Sequence, residues 1–323
     1  MRLLTAIGSR VLKLLGVVLI VSFLTFCLTK LLPGDPVQRI LGSQSSDPHA
    51  VAALRRTLGL DRGFFTQYVD YVRGVVTHFD LGRAYSSNFP VRTLLANRLP
   101  ATIELILLTQ IVAIAISVPL ALFSAYRAES KADRAITAGA FGLISVPSFA
   151  MAVLLVYLFA IRLSWFPAVG YDRLTGPGGV GANLKSVVLP VAVLVAGLCA
   201  VYTRVLRSDL IATLQEDFIL MARSKGLPTW HVLLRHALRP SSFSLLTVFG
   251  INFGALIGGS VIVEYYFSIP GVGALAIDSI NKRDYLAVQG VVLVVAVAFV
   301  VINFAVDALY SVLDPRVRRA AAA

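Results

Sequence analysis

The chain has 323 residues, 57% hydrophobic and only 14% charged, with a formal net charge of +12 and a mean hydropathy of +0.81. Water-soluble domains rarely reach that apolar content, and several segments here approach the roughly 20 apolar residues that cross a bilayer. The positive charge is not carried by a soluble basic module with interleaved stacking aromatics, so no nucleic-acid partner is expected. The Lys and Arg residues read instead as topology determinants. Cys27 and Cys199 both fall inside apolar runs, as buried packing residues do.

Arg2, Arg10 and Lys13 mark the start of an apolar run from about Val11 to Leu32. The run is longer than a signal-peptide core, and Leu32-Pro33-Gly34-Asp35-Pro36 stands where a small-residue cleavage site would be. Residues 1–32 are therefore expected to hold an inner N-terminus and a retained first span. Residues 33–98 are too polar to span and should form a folded outer segment. Within it Phe64, Tyr68, Tyr71, Val72, Val75 and Phe79 recur at helical steps, which predicts an amphipathic helix. Such a segment can cap the spans, dock a substrate-delivery protein or gate the outer mouth.

A second span is expected from Pro100 to Tyr126, with Pro100 in its first turn and Glu104 near the positive end of the helix dipole. A substrate-binding role is the alternative for Glu104. The charged loop 127–134 then returns inside. A third span, Ala135 to Leu163, contains Gly139, Gly142 and Pro147 and should kink. Trp165 and Phe166 belong at the outer interface. After the Gly176-Pro177-Gly178-Gly179 loop, a fourth span runs from about Ser186 to Tyr202.

Residues 203–240 form a polar insert between two greasy runs. Lipid cannot hide it, so it lies in water or against a partner. Its centre, Asp217 to Gly226, reads as a short helix stopped by Gly226 and Pro228. The fifth span, Phe243 to Val263, carries Gly250, Gly254 and Gly258 four residues apart, a stripe that lets helix backbones approach closely. An outer loop, Glu264 to Asp284, includes Phe267-Ser268-Ile269-Pro270-Gly271-Val272-Gly273. A sixth span, Leu286 to Val312, leads to the tail 314–323, expected inside. Residues 99–313 thus form a core of five further spans. Inner segments hold most of the basic residues of the short loops, which supports both termini inside.

Catalytic chemistry is sparse. No Gly-Lys dipeptide occurs, so the chain has no P-loop, and neither His-Glu-x-x-His nor Gly-x-Ser-x-Gly is present. No enzymatic activity, metal or cofactor is expected of the chain itself. His231 and His236, five apart, lie about 140° apart on an α-helix and suit a shared metal poorly. Asn303 and Asp307 share a face near the inner end of the last span.

The ordered set of motifs resembles one family. Leu32-Pro33-Gly34-Asp35-Pro36, Leu58-Gly59-Leu60-Asp61, Asp80-Leu81-Gly82 and Pro100-Ala101-Thr102-Ile103-Glu104-Leu105 come first. Asp217-Phe218 with Ala222-Arg223-Ser224-Lys225-Gly226-Leu227, then His236-Ala237-Leu238-Arg239, Arg283-Asp284-Tyr285 and Asp314-Pro315-Arg316 follow. Together they resemble the larger-outer-loop permease of dipeptide, oligopeptide and nickel ABC importers, and the central insert resembles the cytoplasmic EAA loop. The sequence departs from the pattern at Leu220 and Met221, where Glu and Ala would stand, and at Pro240, which comes earlier than usual.

The resemblance implies an all-α membrane protein of six spans, the permease of a type I ABC importer in a bacterial inner membrane. It implies a second homologous permease, two cytoplasmic ATPases that bind ATP and Mg, and an extracytoplasmic substrate-binding protein. On this reading Asp217, Phe218, Ala222, Arg223, Lys225, Gly226 and Leu227 couple to an ATPase. Gly250, Gly254 and Gly258 pack helices, and Glu264, Pro270, Gly271 and Gly273 serve an outer gate or receptor contact. A permease for nickel or another metal complex shares the design. The rival class is an ion-coupled secondary transporter, which would bind its ion at buried acids, whereas the acids here cluster at span ends.

Overall fold

The computed structural model describes residues 16–27, 37, 41, 47–57 and 59–313, with side chains to residue 306. Nearly all of them are helical, and among the described residues the β content is one bridge, Arg83 with Pro90. The helices are α1 (Gly16–Cys27), α2 (Pro48–Thr57), α3 (Phe64–His78), α4 (Val91–Tyr126) and α5 (Lys131–Ser145). They continue with α6 (Ser148–Arg162), α7 (Gly179–Leu214), α8 (Asp217–Ser224), α9 (Thr229–Tyr266), α10 (Val272–Asn281) and α11 (Tyr285–Leu313).

Among the described residues four helices, α4, α7, α9 and α11, are long and apolar enough to cross a membrane, and the bent pair α5–α6 makes a fifth candidate. The architecture is all-α and membrane-spanning. Of the first expected span, α1 is the apolar middle. Its two ends, the Leu32–Pro36 motif and the tail 314–323 lie outside the described residues.

Several expected boundaries move. Pro100 does not open the second span, because α4 begins at Val91. Glu104 therefore sits well inside the helix, and the dipole argument for it fails. The third span does not merely kink: α5 and α6 meet at 103°. Val146, just before Pro147, leaves the helical region (φ −88°, ψ 120°), as a residue preceding proline tends to. The fourth span extends beyond both expected ends, with Pro190 inside it. Helix α9 starts at Thr229 and includes a π-helical stretch, Val232–Ala237, just before Pro240. A proline removes one ladder bond and crowds the preceding turn, and a widened π turn beside it takes up that crowding.

The chain forms two compact units, with boundaries within α4, between α9 and α10, and within α11. One comprises Met1–Pro100 with Gly271–Val300. Its core is Ala84, Val91, Leu95, Val272, Leu275, Ala287 and Val291. Asp284 is 1% exposed and organises one corner. Its carboxylate accepts the backbone N–H of Tyr85 at 3.0 Å and of Ser86 at 2.8 Å, and the Ser86 hydroxyl at 2.7 Å. Burial, with this carboxylate beside it, pushes the Tyr85 phenol up to about 12. We expect Asp284→Ala to leave those two N–H groups without their acceptor, at about 1–3 kcal/mol each where water cannot reach. A lower thermal midpoint in detergent, restored in part by Asp284→Asn, checks this.

The other unit comprises Ala101–Pro270 with Val301–Ala323. Helix α7 is its axis, packed against α5, α6 and α9. Tyr202, Leu206 and Leu210 on α7 are fully buried. These three recur at four-residue steps, so one face of a single helix carries the core from the apolar span into the polar insert. The insert is thus rigid at its start, since α7 continues as helix to Leu214.

Candidate coupling site

Helix α8 hangs on two tight connections. Behind it, the Gln215 and Glu216 N–H groups bond to Ala212 and Thr213 carbonyls and close α7. Ahead of it, Lys225 N–H donates to Met221 O and Gly226 N–H to Arg223 O. Gly226 takes φ +75°, the left-handed turn that ends a helix and that a Cβ makes costly. The expected helix and its glycine stop are both present. Asp217 in the first turn and Arg223 in the last complement the helix dipole.

The two faces of α8 differ. Ile219 and Ala222 are 0% and 6% exposed and turn inward, where α8 packs against the π-helical start of α9. Ala222 is therefore a packing residue here, and the helix does not present it. Around this buried edge Phe218, Leu220 and Met221 remain exposed, as do Trp230 and Leu234 near the start of α9, all 44% exposed or more. Asp217, Arg223, Lys225 and Gly226 are exposed around them and Leu227 is half-buried. A cluster of large apolar side chains ringed by charges is the composition of a protein-binding patch. Leu220 and Met221, read from sequence only as departures from a pattern, are part of it.

The patch is tied to the spans by a buried ion pair. Arg207 on α7 grips Asp133 in the first turn of α5, Nε to Oδ1 and Nη2 to Oδ2 at 2.6 Å each. Asp133 is 2% exposed. Its carboxylate also accepts the Ser124 hydroxyl of α4 and the Glu129 N–H at 2.9 Å. Ser130 caps α5 by accepting the Asp133 N–H. One carboxylate thus fastens the ends of α4 and α5 to the helix that carries α8. On α9, Ser241 donates to Thr213 Oγ1 at 2.9 Å and pins the other side. Sequence reading took Arg207 for a topology charge and missed the pair.

His231 and His236 are brought together, with ring centroids 5.6 Å apart. The expected 140° separation assumed an α-helix, whereas five residues is about one turn of the π-helix found there. Among the described residues no group of three or more potential metal ligands forms.

The family described as "Binding-protein-dependent transport system inner membrane component" matches residues 117–319. Its N-terminal companion, "Binding-prot-dependent transport system membrane comp, N-term", matches residues 3–106. The chain belongs to this family.

A protein of Brucella abortus (strain 2308) named as a peptide transport system permease is 41% identical over 311 residues, 96% of this chain and 98% of that one. The glutathione transport system permease protein GsiC of Escherichia coli O6:H1 is 34% identical over 310 residues, covering 96% and 97%. In fold, the chain is similar to a structure of the MetNI methionine ABC transporter in an inward-facing conformation. That match has a TM-score of 0.57 at 14% identity over 68% of this chain and 96% of the other.

The other expected site residues of this inner-membrane component fall elsewhere. Gly250 and Gly254 are buried on α9, while Gly258 faces open space. Glu264 is not in a loop: it is fully buried on α9 and accepts the Thr102 hydroxyl at 2.8 Å and the Ser260 hydroxyl at 3.1 Å. Gly271 and Gly273 are buried as well, and Pro270 is half-buried. Glu104 has partners of its own, Tyr171 Oη at 2.6 Å and Asn183 Nδ2 at 2.7 Å. An open groove of about 490 Å³ is lined by Ile114, Ser242, Phe243 and Phe249 together with Arg239.

Proposed function

We propose that this chain is one permease subunit of an ATP-driven importer of di- and oligopeptides. The observation that carries the proposal is the apolar patch on α8 and α9, held at the end of a 36-residue helix by the Arg207–Asp133 pair. Pushing on such a patch displaces the spans to which it is fastened, which is what a coupling helix requires. The peptide substrate is supported by the Brucella relative and by GsiC, since glutathione is itself a small peptide. ATP and Mg bind the two cytoplasmic ATPases, which supply all the free energy through their different affinities in different nucleotide states. A second homologous permease completes the path and an extracytoplasmic binding protein delivers the peptide. The protein resides in a bacterial inner membrane with α8 and both termini in the cytoplasm.

The test is reconstitution with the second permease, both ATPases and the binding protein in proteoliposomes. ATP-dependent accumulation of labelled di- or oligopeptide is expected, and accumulation of a metal complex instead would reassign the cargo. Orientation is checked separately in intact cells. A cysteine at Ser224, exposed on α8, should resist an impermeant thiol reagent, and labelling there would reverse the topology.

Gly226→Val tests the coupling role. Its φ of +75° is costly for a β-branched residue, by about 1–2 kcal/mol, while no span is touched. We expect membrane insertion to persist while the ATPase fails to co-purify or hydrolyses ATP without transport. Full peptide uptake with the ATPase bound would remove α8 from the mechanism.

A further inference from the structure

Arg207 also lines a small crevice between α5 and α7, of about 30 Å³, together with Thr137, Phe141, Thr203 and Arg204. Among the described residues no carboxylate lines it. Arg207 spends Nε and Nη2 on Asp133. Arg204 is exposed, and its guanidinium lies over the Phe141 ring, 5.6 Å from the centroid. A guanidinium held by its face keeps its N–H edge free to donate. A second cation, the exposed Arg134, precedes Thr137 and Phe141 on α5 at steps of three and four, on one helical face. Among the described residues no carboxylate pairs with Arg204 or Arg134.

We propose that this crevice binds the phosphate of an anionic glycerophospholipid. Arg204 and Arg134 donate to the phosphate, and an acyl chain lies along Phe141 and Ile144. Height on the helices is the deciding argument. Arg134 belongs to the charged stretch 127–134, which cannot enter hydrocarbon. Arg204 stands two residues beyond the apolar run that ends at Tyr202. The Arg207–Asp133 pair sets the ends of the two helices level with each other. Both unpaired cations therefore stand at the edge of the hydrocarbon, where lipid phosphates are. From Arg134 to Ile144 helix α5 rises about 15 Å, roughly one leaflet of a bilayer core, and Phe141 and Ile144 are exposed along that rise. Basic crevices between spans at a membrane face suit anionic head groups. A peptide carboxylate offers the same charge, but the crevice has room for a phosphate oxygen and not for a peptide. The bound lipid braces the two helices that the Arg207–Asp133 pair joins.

The inference needs only that the spans cross a bilayer, and it is independent of the cargo and of the side on which α8 lies. Its test uses the assembled complex, stripped of lipid in detergent and mixed with phosphatidylglycerol, phosphatidylcholine or inorganic phosphate. Native mass spectrometry counts the ligand retained. We expect phosphatidylglycerol to be held in preference to phosphatidylcholine. Arg204→Gln and Arg134→Gln should each lower that retention roughly fivefold, while Arg204→Lys keeps the preference. The control is Arg173→Gln with Lys185→Gln, two exposed cations near the start of α7, which should leave retention unchanged. Equal retention of the two lipids by the parent complex would overturn the proposal without any variant, so poor assembly of one mutant does not blur the result. Undiminished retention in the Arg134→Gln, Arg204→Gln double variant would overturn the site. An equal loss in the control would reduce it to diffuse attraction, and inorganic phosphate that displaces the lipid at equal concentration would assign the crevice to a free anion instead.

Discussion

Replacing Arg207 with alanine should give a permease that reaches the membrane in reduced amount and whose complex with the ATPases hydrolyses ATP without moving peptide. Asp133 is 2% exposed, and without the guanidinium its charge keeps only the Ser124 hydroxyl and the Glu129 N–H. Stranding one member of a buried pair costs about 3–5 kcal/mol. The lower end applies, because the Arg207 side chain is 26% exposed and the site is partly screened. Stability and coupling can be separated with an apolar pair. Arg207→Met with Asp133→Leu removes both charges, and such replacements are often neutral or stabilising. If the pair works as a mechanical joint, the double variant should melt near the parent temperature yet transport less peptide per ATP, because apolar packing lacks the bidentate geometry. Arg207→Ala with unchanged melting and unchanged transport would show that the ion pair matters to neither.

What the sequence revealed about this site was local. The short helix, the glycine that ends it and the polar character of residues 203–240 follow from signals within a few residues of one another, and the structure has them all. The joint could not be read that way. Asp133 and Arg207 are 74 positions apart, and each also served the charge pattern that sets topology, so neither stood out. The faces of α8 were ambiguous for a different reason. Phe218 to Ala222 is one unbroken apolar run, so only packing decides that Ile219 goes in while Phe218 and Met221 stay out.

Prolines lie behind several of the boundary errors. Pro100 looked like a helix start, yet α4 runs through it. Pro190 lies inside α7, whereas Pro147 does break its span. In an apolar setting a helix tolerates the lost N–H when neighbouring helices hold it in place, so local propensity gives the site of a break without saying whether it occurs. The buried Glu264 shows the same limit. A carboxylate after an apolar run reads as a loop residue, but Thr102, which takes it inside, is 162 positions away.

The glycine stripe gives a contrast within one helix, and we expect Gly250→Val to abolish the folded permease while Gly258→Ala is tolerated. A Cβ at Gly250 would collide with Val306 Cγ1 and stand 2.9 Å from its Cβ. Val306 is β-branched and stiff at χ1, so the helix backbones must separate. Overpacking of this kind costs about 1–3 kcal/mol for a small group and more for a branched one. At Gly258 a Cβ meets nothing within 4 Å, and in a helix alanine is favoured over glycine by up to about 1 kcal/mol. The milder Gly250→Ala should be rescued by Val306→Ala, which removes the atoms it strikes. That rescue would identify the contact between these two residues as the cause, and its failure would reject it. Equal thermal midpoints for Gly250→Ala and Gly258→Ala in detergent would refute close packing at Gly250. A Gly258 variant that melts normally alone but no longer assembles with the second permease would instead show that the Gly258 end of the stripe meets that subunit.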